Sequence, residues 1–199
     1  STFTIRRFRD EPFTPVDLLE FKTFSSMQIA FFWLAMQYGM SMLFVGGTAS
    51  GKTTSLNACS LFLPWQHKIV SIEETRELNL PHPNWIPGCT RQGFGGESAG
   101  SGVKAAGEVD MYDLLRAALR ERPEYIIVGE IRGAEAYVLF QAMATGHTTY
   151  STFHADSIQS LVHRLENKPI EIPRVLIPAL DGISIQIQTR VGGHRGRRH

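Results

Sequence analysis

The sequence predicts an α/β fold, a mainly parallel sheet with helices on both faces, and three observations carry that prediction. Between Met42 and Leu165 strand-like apolar runs alternate with helix-patterned segments, the order that produces parallel strands joined by helical crossovers. Tyr125-Ile126-Ile127-Val128 is apolar without interruption, as a strand buried on both faces has to be. The short run Leu43-Phe44-Val45 leads into Gly46-Gly47-Thr48-Ala49-Ser50-Gly51-Lys52-Thr53, which fits G-x-x-x-x-G-K-S/T between a strand and a helix.

The spacing of that loop has a physical reason. Its glycines let the backbone wrap so that several N–H groups point at one phosphate, and the helix that follows aims its positive end at the same place. Lys52 reaches the β/γ-phosphates and the Thr53 hydroxyl ligates Mg²⁺. The nucleotide-binding candidates are therefore Gly46, Gly47, Thr48, Ala49, Ser50, Gly51, Lys52, Thr53 and Thr54, with ATP and Mg²⁺ as the expected ligands.

The opening STFTIRRF alternates like a strand, and Pro12 and Pro15 mark a turn. Thr14-Pro15 before Asp17, Leu18 and Leu19 reads as a helix start with Thr14 as cap and Pro15 at the first position. A boundary near Glu11 to Phe13 follows, with residues 1–12 a remnant of another domain plus linker and 13–199 the main domain.

Between Lys22 and Lys52 no residue is charged. A membrane span is rejected there because Gln28, Gln37, Tyr38, Gly39 and Ser41 interrupt it and it runs straight into the phosphate loop. A buried helix from Ser26 to Tyr38, a Gly39 stop and a buried strand are expected instead.

Further on, Lys68 to Ile72 is a β-branched strand ending at Glu73-Glu74-Thr75-Arg76. The Pro- and Gly-rich stretch from Leu80 to Gly107 reads mostly as loop, with a short strand at Cys89 to Gln92. Asp110 caps a helix stopped before Pro123. Helices follow at Ala134 to Ala144 and from a cap at Asp156 or Ser157 to Leu165, with a strand from His147 to Phe153 between them. Ile183 to Thr189 alternates as a half-exposed strand, and GGHRGRRH reads as a frayed basic tail.

Composition excludes some functions. With 199 residues, 43% hydrophobic, 20% charged and a net charge of +1, the chain has no global attraction to nucleic acid or membrane, so no nucleic-acid partner is predicted. Cys59 and Cys89 form no metal or redox motif and read as one buried small hydrophobe and one loop thiol in a reducing compartment. The first residues carry no signal-peptide pattern. His147 and His154 lack the spacing and the third ligand of a zinc site, and read instead as phosphate-contacting histidines.

A parallel sheet gathers its chemistry at the carboxyl ends of the strands. That places Lys52, Glu73, Glu74, Glu130 and His154 together. Glu130, directly after YIIVG, is the first choice to activate water. The alternative is a strand-end salt bridge to Arg132. Many P-loop enzymes hold Mg²⁺ with an Asp at the position of Gly129, so here the ion leans on Thr53 and waters, with Glu73 or Glu74 in its outer shell.

These residues carry a resemblance. GGTASGKT, SIEETREL, RPEYIIVGEIRGAEA and ATGHTTYSTFHADS occur in that order and resemble the Walker A, Asp-box, atypical Walker B and His-box blocks of the type II and type IV secretion ATPase superfamily. LPHPNWIPG and the TIRRF opening look most like its archaeal-type members, including archaellum motors. The resemblance implies a RecA-like P-loop NTPase core that hydrolyses ATP in a homohexamer, with the nucleotide between subunits. It implies Glu130 as catalytic glutamate, Glu73 and Glu74 as Asp-box carboxylates, Lys52 in the catalytic loop, and His147 and His154 as His-box residues. Arg6, Arg7, Arg76 and Arg132 are candidates to clamp or sense the γ-phosphate.

An integral membrane platform protein would be the partner, and the motor would sit in the cytoplasm at the inner face of the membrane, touching lipid only indirectly. Set against the family's pattern, the chain is expected to include no more of the N-terminal domain than Ser1 to Asp10 and none of the helices past the last strand. Two other functions fit the P-loop alone. One is a small-molecule kinase with Gln92 to Gly107 as a lid, although that loop holds a single basic residue, Lys104. The other is a non-hydrolysing, nucleotide-gated interaction module.

Overall fold

The helix starts are written into the local sequence. Thr14 caps α1 (Pro15–Glu20), Ser25 caps α2 (Ser26–Gln37) and Asp110 caps α4 (Met111–Arg120), each in a reciprocal capping box with Asp17, Gln28 or Asp113. Ser157, not Asp156, caps α6 (Ile158–Glu166). The computed structural model describes residues 11–93, 105–191 and 194–198. The expected opening strand, Arg6, Arg7 and Lys104 lie outside these residues.

The other elements are β1 (Met42–Gly46), α3 (Lys52–Cys59), β2 (Ile69–Glu73), β3 (Trp85–Cys89), β4 (Tyr125–Val128), α5 (Glu135–Ala144), β5 (Thr148–Phe153), β6 (Gly182–Val191) and β7 (His194–Arg198). The sheet order is β3-β2-β4-β5-β1-β6-β7. The first six strands pair in parallel and only β7 runs antiparallel. Successive residues of each central strand feed opposite cores. Met42, Phe44, Ile69, Tyr125, Ile127 and Tyr150 meet Phe32, Met36 and Leu56 of α2 and α3. Leu43, Val45, Val70, Ile72, Ile126 and Val128 meet Leu115, Leu139, Phe140 and Leu161 of α4, α5 and α6. The α/β prediction with helices on both faces is met.

Two local readings need correction. The strand in the Pro/Gly-rich stretch is Trp85–Cys89 rather than Cys89 to Gln92, and Arg91 makes only a bridge to Val109. Pro87 is tolerated because β3 is the sheet's outermost strand. The basic tail is no frayed end: His194–Arg198 pairs with Ile187–Val191 and covers what would otherwise be an open edge. β6 is half-exposed, as its alternation implied: Ser184 and Gln186 are buried, Ile183 and Ile185 are partly covered, and Ile187 and Gln188 are exposed.

Among the described residues no helix is long and apolar enough to cross a membrane. α2 ends at Gln37, followed by Gly39 with φ +69°. Cys59 is buried, which pushes its thiol pKa up to about 12, while Cys89 is exposed at the end of β3.

Tyr150 gives a stability test. Its ring is fully buried, and its hydroxyl has no hydrogen-bond partner among the described residues. Tyr150→Phe removes an unpaired buried donor and is expected to raise stability by about 1 kcal/mol in denaturant melts. A loss of similar size would mean that the hydroxyl is bonded after all.

Candidate nucleotide site

Sheet order, not sequence order, assembles the site. β2, β4, β5 and β1 lie side by side, so Glu73, Glu130, His154 and the phosphate loop emerge along one edge. A cavity of about 870 Å³ opens there, lined by Thr48 to Thr54, Glu130, Arg132, Thr152, His154 and the end of α6. A smaller one of about 310 Å³ adjoins it, lined by Thr53, Glu73, Glu74, Glu130 and Arg132. Thr53, Glu130 and Arg132 face both.

The loop is shaped by its small residues. A Cβ on Gly46 would lie 2.4 Å from Ser50 Oγ and 2.5 Å from the Gln186 carbonyl oxygen, so only glycine lets the loop settle against β6. Gly51 caps α3 in the left-handed region at φ +98° and supplies no side-chain cap bond. The first N–H groups of α3 are thus open to an anion. Lys52 is nearly buried, and its Nζ donates to the Gly47 carbonyl at 2.8 Å. Burial lowers its pKa, Glu130 opposes that shift, and Arg132 adds to it.

Gln188 of β6 donates from Nε2 to the carbonyls of Ala49 and Thr48 at 2.9 and 3.3 Å. Sequence reasoning missed this brace. The only signal for it was a polar position in an alternating strand.

The carboxylates take distinct places. Glu73, last in β2, is 2% exposed. Its Oε1 accepts from the Glu77 and Leu78 N–H groups at 2.9 and 3.0 Å, while its Oε2 is buried with no partner among the described residues. Burial pushes its pKa up against those two hydrogen bonds. A Cβ on Gly129 would sit 3.1 Å from Glu73 Cγ. The space where other P-loop enzymes carry an Asp is therefore filled by the Glu73 side chain from the neighbouring strand.

Glu130 forms the strand-end ion pair with Arg132, whose Nε donates to Oε2 at 3.0 Å and whose Nη2 donates to the same oxygen. Arg132 Nη1 also lies 3.5 Å from Glu74. Thr152 Oγ1 donates to the Gly129 carbonyl at 2.7 Å and ties β5 to this turn.

Two sequence candidates stand elsewhere. His147 precedes the first residue of β5, at the end of the strand away from the cavity, with Thr145 Oγ1 3.5 Å from its Nδ1. Arg76 lies over the Trp85 ring at 4.9 Å and lines neither cavity. Among the described residues no cluster of three His, Cys, Asp or Glu could hold a metal ion.

Comparison with known proteins gives the chain's family. The chain is 47% identical over 184 residues to "Uncharacterized protein MJ1287" of Methanocaldococcus jannaschii, covering 92% of this chain and 65% of that protein. It is 34% identical over 183 residues to the type IV secretion system protein PtlH of Bordetella pertussis, covering 84% of this chain and 51% of PtlH. The chain thus spans roughly half to two thirds of these two relatives.

Among solved structures, the VirB11 ATPase of the Brucella suis type IV secretion system, in complex with sulphate, superposes with TM-score 0.67 at 26% identity. That match covers 98% of this chain and 58% of VirB11. The pilus retraction motor PilT with bound ADP shares the fold, with TM-score 0.66 at 23% identity over 96% of this chain and 53% of PilT. The model of the Type II/IV secretion system protein family matches residues 1–191. The chain belongs to the Type II/IV secretion system protein family.

Proposed function

We propose that this chain is the ATP-hydrolysing motor core of a secretion machine or of an archaeal pilus or archaellum assembly machine, working as a homohexamer with nucleotide between subunits. The observation that carries the reading is the meeting of three things at two adjoining cavities: an open helix start behind Lys52, Glu130, and the buried Glu73 carboxylate. The family's secretion and pilus ATPases supply the setting. In it the motor stands in the cytoplasm against an integral membrane platform protein and meets the membrane only indirectly.

The residues fit Mg²⁺. Thr53 faces both cavities, and Glu73, whose buried Oε2 has no partner among the described residues, lines the smaller one. An ion held by phosphate oxygens, Thr53 and water, with Glu73 in the outer shell, needs no three-ligand protein cluster. When bound, it would supply neutralisation of the nucleotide's phosphate charge. Lys52 and the N–H groups of α3 bind the phosphates. Arg132 holds Glu130 at the strand end, and Glu130 takes the proton of the attacking water as the bond from γ-phosphorus to ADP breaks.

Hydrolysis in ¹⁸O-labelled water distinguishes this from the other P-loop readings. Label entering the released phosphate is the expected result. Transfer to a small-molecule acceptor would instead make the protein a kinase, and bound ATP without turnover would make it a gated module.

A further inference from the structure

Arg76 lies over Trp85 and lines neither cavity, and Arg132, which lines both, is already engaged by Glu130 and Glu74. The large cavity nevertheless has a second basic wall. It is built by His163 and Arg164 of α6 and by Lys168 just beyond, facing the phosphate loop.

Arg164 is held from two sides. Its Nη1 donates to the His154 carbonyl, and its Cζ lies 5.9 Å from the centre of the Phe153 ring. Among the described residues no carboxylate pairs with it. The acid two positions along, Glu166, is taken bidentately by Arg174 at 2.5 and 3.1 Å. A guanidinium has five N–H donors in a fork that matches phosphate, and only one of them is used here. Lys168, exposed beside it, adds a second cation without an ion-pair partner among the described residues.

The wall's charges are also out of balance. Lys52, Arg132, Arg164 and Lys168 face Glu77 and Glu130, and Glu130 is already matched by Arg132. An anion between Lys52 and Arg164 would restore neutrality.

We infer that Arg164 and Lys168 form a second phosphate subsite, supplied by the same subunit as the loop, which reads the terminal phosphate and so separates ATP from ADP. The inference rests on the nucleotide reading of the cavity. Because Arg164 also carries the His154 carbonyl, occupation of the subsite links the terminal phosphate to the end of β5 and to α6. Nothing in the four sequence blocks points to these two residues.

The test is binding of ATPγS and of ADP to the full chain and to Arg164→Ala, Arg164→Lys and Lys168→Ala, with melting temperature read on each. Arg164→Ala is expected to weaken ATPγS by about tenfold, the worth of a charged hydrogen bond. ADP should change by less than about twofold, as for a surface substitution. Arg164→Lys should recover part of the loss, and Lys168→Ala should shift the ATPγS-to-ADP ratio in the same direction.

Equal losses for both nucleotides, or none, would overturn the subsite and leave Arg164 as a brace for His154. If Arg164→Ala fails to fold, the exposed Lys168 decides, and an unchanged ratio overturns the inference. Failure of the unaltered chain to bind either nucleotide would be a different result, because it removes the nucleotide reading itself.

Discussion

Glu130→Gln is expected to lower the rate of ATP hydrolysis by roughly 10²–10⁴-fold, the usual worth of a positioned general base, with ATP affinity nearly unchanged. The amide keeps the size of the carboxylate and can still accept from Arg132, so the strand end and the phosphate loop lose little. What it cannot do is take a proton from water. Arg132 binds Oε2 of Glu130 through two nitrogens, which leaves Oε1 as the oxygen to meet the water. Phosphate release and ATP binding measured on one preparation separate the alternatives. If both survive, Glu130 is only the salt-bridge residue that the ion pair with Arg132 by itself describes.

The second large effect is expected at Glu73, where stability and activity should part. Burial raises the pKa of this carboxyl above its ordinary value, so the folded chain binds the proton more tightly than the unfolded one. Its contribution to stability is complete below the ordinary carboxylate pKa and is lost as pH rises through the raised folded value. In Glu73→Gln the amide oxygen can still accept from the Glu77 and Leu78 N–H groups. This pH-dependent decline then disappears, and stability at neutral pH is expected to equal or exceed that of the parent.

Hydrolysis should fall about 10–100-fold, as when an outer-shell metal partner is removed. Urea melts at pH 4 and pH 7, with turnover on the same variant, check both halves. Full activity in Glu73→Gln would reduce Glu73 to a loop cap.

The parts of this molecule that were legible in the sequence are those written in local chemistry. Thr14, Ser25 and Asp110 each stand three residues before a reciprocal partner, and the phosphate loop carries its own spacing. The sheet faces could be read as well, because uninterrupted apolar runs such as Tyr125 to Val128 fit only strands buried on both sides.

What stayed hidden depends on which strand lies next to which. Glu73 filling the space beside Gly129 requires β2 and β4 to be neighbours. The Gln188 brace requires β6 beside β1. The Arg164 wall requires α6 to return over the loop. Pro87 disguised β3, since proline argues against a strand until the strand is known to lie at the edge. The basic side chains of His194 to Arg198 hid β7, although the Gly192-Gly193 pair before them is a hairpin signal in its own right.

Steady-state hydrolysis against protein concentration, with light scattering on the same samples, shows whether the ATP site is completed between subunits. An arginine supplied by a neighbour is worth ~10³–10⁵ in rate, or roughly 4–7 kcal/mol of barrier. A monomer is therefore expected to bind nucleotide and turn it over slowly, with activity rising more than linearly as hexamers form. Brisk turnover strictly proportional to the concentration of a proven monomer would contradict the account.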